Sequence, residues 1–159
     1  MLKNYSNTRK FGIAFSWLLV AVCMGIIFSL SHQPSEESAE LSLEVMGFFS
    51  RIFTKFIEAI GHDAFRSIAH FLEYCGLAAL LYNAFLQTLN KPKILLSFAV
   101  SVLYCISDEI HQIFIPGRAF QISDILVDAM GSATGIIACT CIYMIIRKII
   151  ASRNPLANG

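Results

Sequence analysis

The sequence predicts an all-α, polytopic membrane protein: four transmembrane helices with an amphipathic helix in the first extracytoplasmic loop. Two observations carry this, namely four long apolar runs in a short chain and positive charge gathered on one side of them. The 159 residues are 56% hydrophobic and 14% charged, with a mean hydropathy of +0.64. That balance is too apolar for a soluble domain of this length and makes a bilayer the expected solvent. The net charge of +1 comes without the clustered basic footprint of a nucleic-acid partner, so nucleic acid is excluded as a partner class.

Four segments reach the roughly 20 mostly apolar residues that a spanning helix needs: about 11–31, 66–89, 92–114 and 123–146. In lipid each segment must satisfy its own backbone polar groups, which makes all four helical. The first follows Lys3, Arg9 and Lys10 in the manner of a signal peptide, but no small-residue cleavage motif comes after it. It is expected to remain as an anchor. Lys3, Arg9, Lys10, Lys91, Lys93, Arg147, Lys148 and Arg153 all fall on one side of the spans, which the positive-inside rule makes cytoplasmic. Both termini are therefore expected inside, in a multi-pass protein whose single transmembrane domain covers residues 1–159.

In the first outer loop Leu41, Val45, Phe48, Phe49, Ile52, Phe53, Phe56, Ile57 and Ile60 recur at helical spacing between charged residues. This pattern predicts an amphipathic helix over about 36–60, with Ser35 a plausible N-cap and Gly61 a plausible stop. It is expected to lie along the outer interface. Folding its apolar face back over the bundle mouth is the alternative, and periodicity does not choose between them.

Charged residues inside spans are costly, so their positions point to function. On the third span Ser97, Ser101, Tyr104, Asp108 and His111 share one face, with Glu109 and Gln112 beside it. Arg66, His70, Glu73 and Tyr74 form a shorter stripe on the second span, and Asp124, Asp128 and Ser132 another on the fourth. At a rise of about 1.5 Å per residue, Glu73, Asp108 and Asp128 lie about 6 to 10 Å in from the outer ends of their spans. They are expected to face one another in a pocket completed by Arg118.

That cluster sets five carboxylates against two guanidiniums, an excess that protonation, a bound cation or a cationic ligand group would neutralise. No cofactor is evident; a divalent cation is one option, though Asp108-Glu109-Ile110-His111 is not a recognised metal motif. The competing reading is a structural hydrogen-bond network that fixes helix register. If the pocket is catalytic, Asp108, Glu109, His111 and Asp128 are the candidate acid–base groups. Gly131 and Gly135 read as a close-packing face, Pro116-Gly117-Arg118 as a tight turn that swings Arg118 over the acids, and Ser123 or Asp124 as a helix cap. The five cysteines, all within the most apolar stretches, read as small buried hydrophobes. His32 and His62 read as solvated loop residues.

Three segments together resemble the VanZ-like family: Arg66-Ser-Ile-Ala-His70-Phe71-Leu-Glu73-Tyr74, Ser107-Asp108-Glu109-Ile-His111-Gln112 through Pro116-Gly117-Arg118, and Asp124-x3-Asp128-x2-Gly131-x3-Gly135. In the Phe28 to Ser38 stretch, Phe-Ser-Leu-Ser-His-Gln-Pro followed by Ser resembles the end of the family's first helix. The family takes its name from an accessory protein of glycopeptide-resistance clusters associated with low-level teicoplanin resistance, and its members are bacterial membrane proteins. The resemblance therefore implies a bacterial cell-membrane location and a contribution to such resistance. The polar pocket implies binding of a membrane lipid or a lipid-linked cell-wall precursor. The alternatives are a membrane-embedded hydrolase or transferase acting on the same molecules, and an ion or proton path along the third span. Oligomeric state is left open.

Overall fold

In the computed structural model residues 2–34 and 62–153 are described, and they form four helices: α1 (Leu2–Ser31), α2 (His62–Leu89), α3 (Ile94–Gln112) and α4 (Ile122–Arg153). Each is long and apolar enough to cross a membrane. The expected class and number of spans are both found, and α4 continues beyond the expected 123–146. The amphipathic helix expected over 36–60 lies outside the described residues.

Local chemistry sets the connections. α2 stops where Asn90 adopts a left-handed φ of 54°, a conformation that ends helices, and Pro92 two residues on prevents continuation. At the other end of the bundle α3 unwinds through short-range bonds from the Phe114 amide to the His111 carbonyl and from Ile115 to Gln112, both 3.0 Å. The Arg118 amide then donates to the Ile115 carbonyl at 3.1 Å, closing a turn with Pro116 and Gly117 at its centre. The Gly117 φ of 76° makes this a type II turn, which prefers Pro and then Gly at those two positions.

Burial is inverted relative to a soluble protein. Glu109 and Gln112 are 0% exposed, whereas Leu95 is 79% and Phe114 76% exposed. Water would reward the reverse arrangement; lipid rewards this one. α2 is the central helix, packing most extensively on α4 and also on α1 and α3, while α1 touches α3 only lightly. Val20 and Ile27 from α1 meet Tyr74, Leu77, Leu81 and Cys105 in the main core, and Ala78, Tyr82 and Ile136 fill a smaller one between α2 and α4.

The α2–α4 approach depends on two glycines. A Cβ added to Gly131 would collide with the Phe71 carbonyl, and one added to Gly135 would collide with that of Cys75. Absence of side chains lets the backbones touch, as the spacing predicts. This seam brings the stripes of α2 and α4 together at the end where both helices start.

A polar cluster at one end of the bundle

α1 and α3 finish at the same end of the bundle at which α2 and α4 begin, and the ionisable residues gather there. They form two lobes joined by one glutamine. In the first lobe, between α2 and α4, Arg66 Nη2 lies 3.5 Å from Asp124 Oδ2, and His70 Nδ1 lies 3.5 Å from Asp128 Oδ1. One turn separates Arg66 from His70 and Asp124 from Asp128, so the two pairs stack along the seam. Cys105 donates its thiol to Asp128 Oδ2 at 3.3 Å.

The second lobe lies between α1 and α3. Ser31 Oγ donates to Asp108 Oδ2 at 2.7 Å, and next to it His32 Nδ1 and His111 Nε2 are 3.1 Å apart. Gln112 joins the lobes: its Nε2 donates to Asp108 Oδ2 and its Oε1 accepts from Arg66 Nη2, both at 3.5 Å. A primary amide suits that place because it offers a donor to the acid and an acceptor to the guanidinium at once.

Glu109 turns toward the start of α4, where its Oε2 accepts the Gln121 amide at 2.9 Å. Glu73 is half-buried and lies within electrostatic reach of His70, Asp128, Asp108 and Arg118. Tyr74 is fully buried beneath the cluster. Deeper in the bundle Ser101 and Ser132 share a 2.8 Å hydrogen bond, and Tyr104 donates to the Met24 carbonyl at 2.6 Å. Among the described residues Arg66 Nε, Asp108 Oδ1, Glu109 Oε1 and the Tyr74 hydroxyl are buried without a hydrogen-bond partner. Buried polar atoms without a partner are uncommon in folded proteins, and here they gather at one end of the bundle.

A pocket of about 240 Å³ opens into the first lobe, lined by Arg66, Ser67, His70, Gln121, Ser123, Asp124 and Val127. Among the described residues no three His, Cys, Asp or Glu side chains converge as a metal-ligand set.

A family model described as VanZ/LLP1 matches residues 15–147. The chain belongs to the VanZ/LLP1 family. No curated protein and no solved structure matches it. The matched span contains all of the clustered residues, from Ser31 to Ser132, so the lobes lie within the part this VanZ/LLP1 protein shares with its family.

The predicted cluster residues come together in part. Asp108, Gln112, Arg66 and Asp124 form one connected network, and His70 and Asp128 pair one turn further along the seam. His111 instead faces outward to His32, and the buried face of α3 lies slightly further round, through Ser97, Ser101, Cys105, Asp108 and Gln112. Among the described residues Arg118 pairs with no acid: its Nε donates to the Gln33 carbonyl at 3.1 Å and its Nη2 to the Leu30 carbonyl at 3.4 Å. It caps the C-terminal end of α1, where free carbonyls attract a cation. Burial, and then the Arg66 charge, lower its pKa, yet a guanidinium stays protonated.

Ser123 and Asp124 both fall inside the first turn of α4, which starts at Ile122, so neither is its cap; Asp124 reaches across to Arg66 instead. Ser31, His32 and Cys105 were not read as site residues from the sequence. Ser31 carried a faint signal, a hydroxyl closing an apolar run just before Pro34. His32 carried only its place in the stretch that resembles the end of the family's first helix, and Cys105 carried none, because their partners come from other helices.

Proposed function

We propose that this VanZ/LLP1 protein sits in a bacterial cell membrane with both termini in the cytoplasm and its polar end at the outer face. There it binds the polar headgroup of a membrane lipid or a lipid-linked cell-wall precursor. The orientation rests on Arg9, Lys10, Lys91, Lys93, Arg147, Lys148 and Arg153, which lie toward the end opposite the cluster. The pocket between α2 and α4 is the observation that carries the binding reading. It offers a guanidinium, an imidazole, hydroxyls and a carboxylate where a headgroup meets its acyl chains, and apolar helix faces lie alongside for the chains. A precursor or lipid held there would alter the access of a membrane-anchored glycopeptide such as teicoplanin, which itself carries an acyl chain.

Native mass spectra of the protein purified in mild detergent test this. A lipid or precursor retained by the wild type and lost from Arg66→Gln and Asp124→Asn is the expected result. Equal retention by all three proteins would sink the reading.

One contact favours a second reading. His70 lines the pocket with Asp128 3.5 Å behind it, and a carboxylate-oriented imidazole beside a phosphate-holding Arg66 is an arrangement suited to general-base catalysis. A hydrolase or transferase acting on the headgroup would release a modified product from candidate lipids. His70→Gln would abolish that release by at least about 100-fold. Lipids left unmodified by the wild type, with and without divalent ions, exclude it.

A further inference from the structure

We propose that His32 and His111 form a binding site for a late first-row divalent metal ion, zinc in its simplest form, which ties the end of α1 to the end of α3. The proposal is independent of any ligand in the pocket. His32 Nδ1 and His111 Nε2 face one another at 3.1 Å. Two imidazole nitrogens on one tetrahedral zinc ion, each about 2.0–2.1 Å from it, lie about 3.3 Å apart. The near-parallel rings, with centroids 5.3 Å apart, set the two nitrogens head-on, so the spacing matches a shared metal once each ring turns by about 35° to aim its lone pair at the ion. The ring that donates in the metal-free pair carries its proton on its other nitrogen when metal is bound, leaving both facing nitrogens as ligands.

Both rings are placed in advance. Phe28 packs against each of them, with ring centroids 4.7 Å from His111 and 5.9 Å from His32. The residues flanking His32 are also anchored, Ser31 through its bond to Asp108 and Gln33 through Arg118. Gln112, next to His111, is held by Asp108 and Arg66. Such outer contacts orient imidazole ligands and limit what they lose in entropy on binding. His32 is exposed and His111 half-exposed, so an ion has access, and water can complete its coordination. Imidazole donors favour copper, nickel and zinc over magnesium or calcium, which prefer oxygen. The site is distinct from the pocket, since neither histidine lines it.

Equilibrium dialysis of the chelator-stripped, full-length protein against zinc chloride tests the proposal. The wild type is expected to take up one zinc ion per chain, and His32→Gln and His111→Gln each to weaken uptake at least tenfold. No uptake by the wild type, or undiminished uptake in either variant, overturns it. Because a substitution could also loosen the helix ends, the wild type is mapped separately with diethyl pyrocarbonate. Zinc should protect His32 and His111 together from modification, and equal modification with and without zinc refutes the site.

Discussion

At the residue scale, the cluster is held by a few atoms with more than one partner. Asp108 Oδ2 accepts from both Ser31 and Gln112, and the shorter bond is the one to Ser31. Ser31→Ala leaves a buried carboxylate with one long partner, and a loss of about 1–3 kcal/mol is expected for a hydrogen bond to such a group. Thermal unfolding in detergent checks this. Gln112→Leu removes both links between the lobes and leaves Arg66 and Asp108 poorer by one partner each. It should cost more than Ser31→Ala in the same assay, since the long bonds it breaks serve two charged groups. Of these residues the sequence identified Asp108, Gln112 and Arg66, because a charge in an apolar run stands out. Ser31 and Cys105 stayed hidden because a serine or cysteine in an apolar run has many harmless explanations.

At the element scale, the two glycines of α4 and the arginine after α3 decide how helices meet. Gly131→Ala or Gly135→Ala places a methyl group against an α2 carbonyl, and backbone cannot step aside as a side chain would. Overpacking of this kind costs about 1–3 kcal/mol. Among the described residues Gly25→Ala and Gly76→Ala meet nothing within 4 Å and are expected to be neutral or slightly stabilising, because alanine is the better helix former. Denaturation of the four variants side by side distinguishes the effects. Arg118→Gln removes the cap from α1, the helix with the lightest hold on α3. Increased hydrogen exchange at the last turn of α1, with the rest of the bundle unchanged, is the outcome expected. The spacing of glycines in sequence showed that a close contact exists. It did not show which helix supplies the other side, nor that Arg118 serves a helix end in preference to the acids.

At the scale of the whole molecule, the arrangement places charge at one end and a basic rim at the other. Proposed orientation translates into a labelling experiment in a cysteine-free background. Ala119→Cys, in the turn beside the cluster, should react with a membrane-impermeant maleimide in intact cells, and Asn90→Cys only after permeabilisation. The reverse pattern would invert the topology and put the pocket on the cytoplasmic side.

The sequence by itself determined the number of spans, the side on which basic residues gather, a tight turn at Pro116-Gly117 and the depth at which charged groups sit. These depend on local quantities, namely run length, residue type and rise per residue, which a linear reading contains. Only the tertiary structure decided how the charged groups divide. Packing α4 onto α2 through Gly131 and Gly135 paired Arg66 with Asp124 and His70 with Asp128, and docking α1 beside α3 gave Asp108 its serine and His111 its histidine. Helical spacing fixes which residues share a face, but the rotation of each helix about its axis is set by what it packs against. That rotation turned Glu109 and Gln112 inward, His111 outward, and made two lobes of what the stripes alone present as a single cluster.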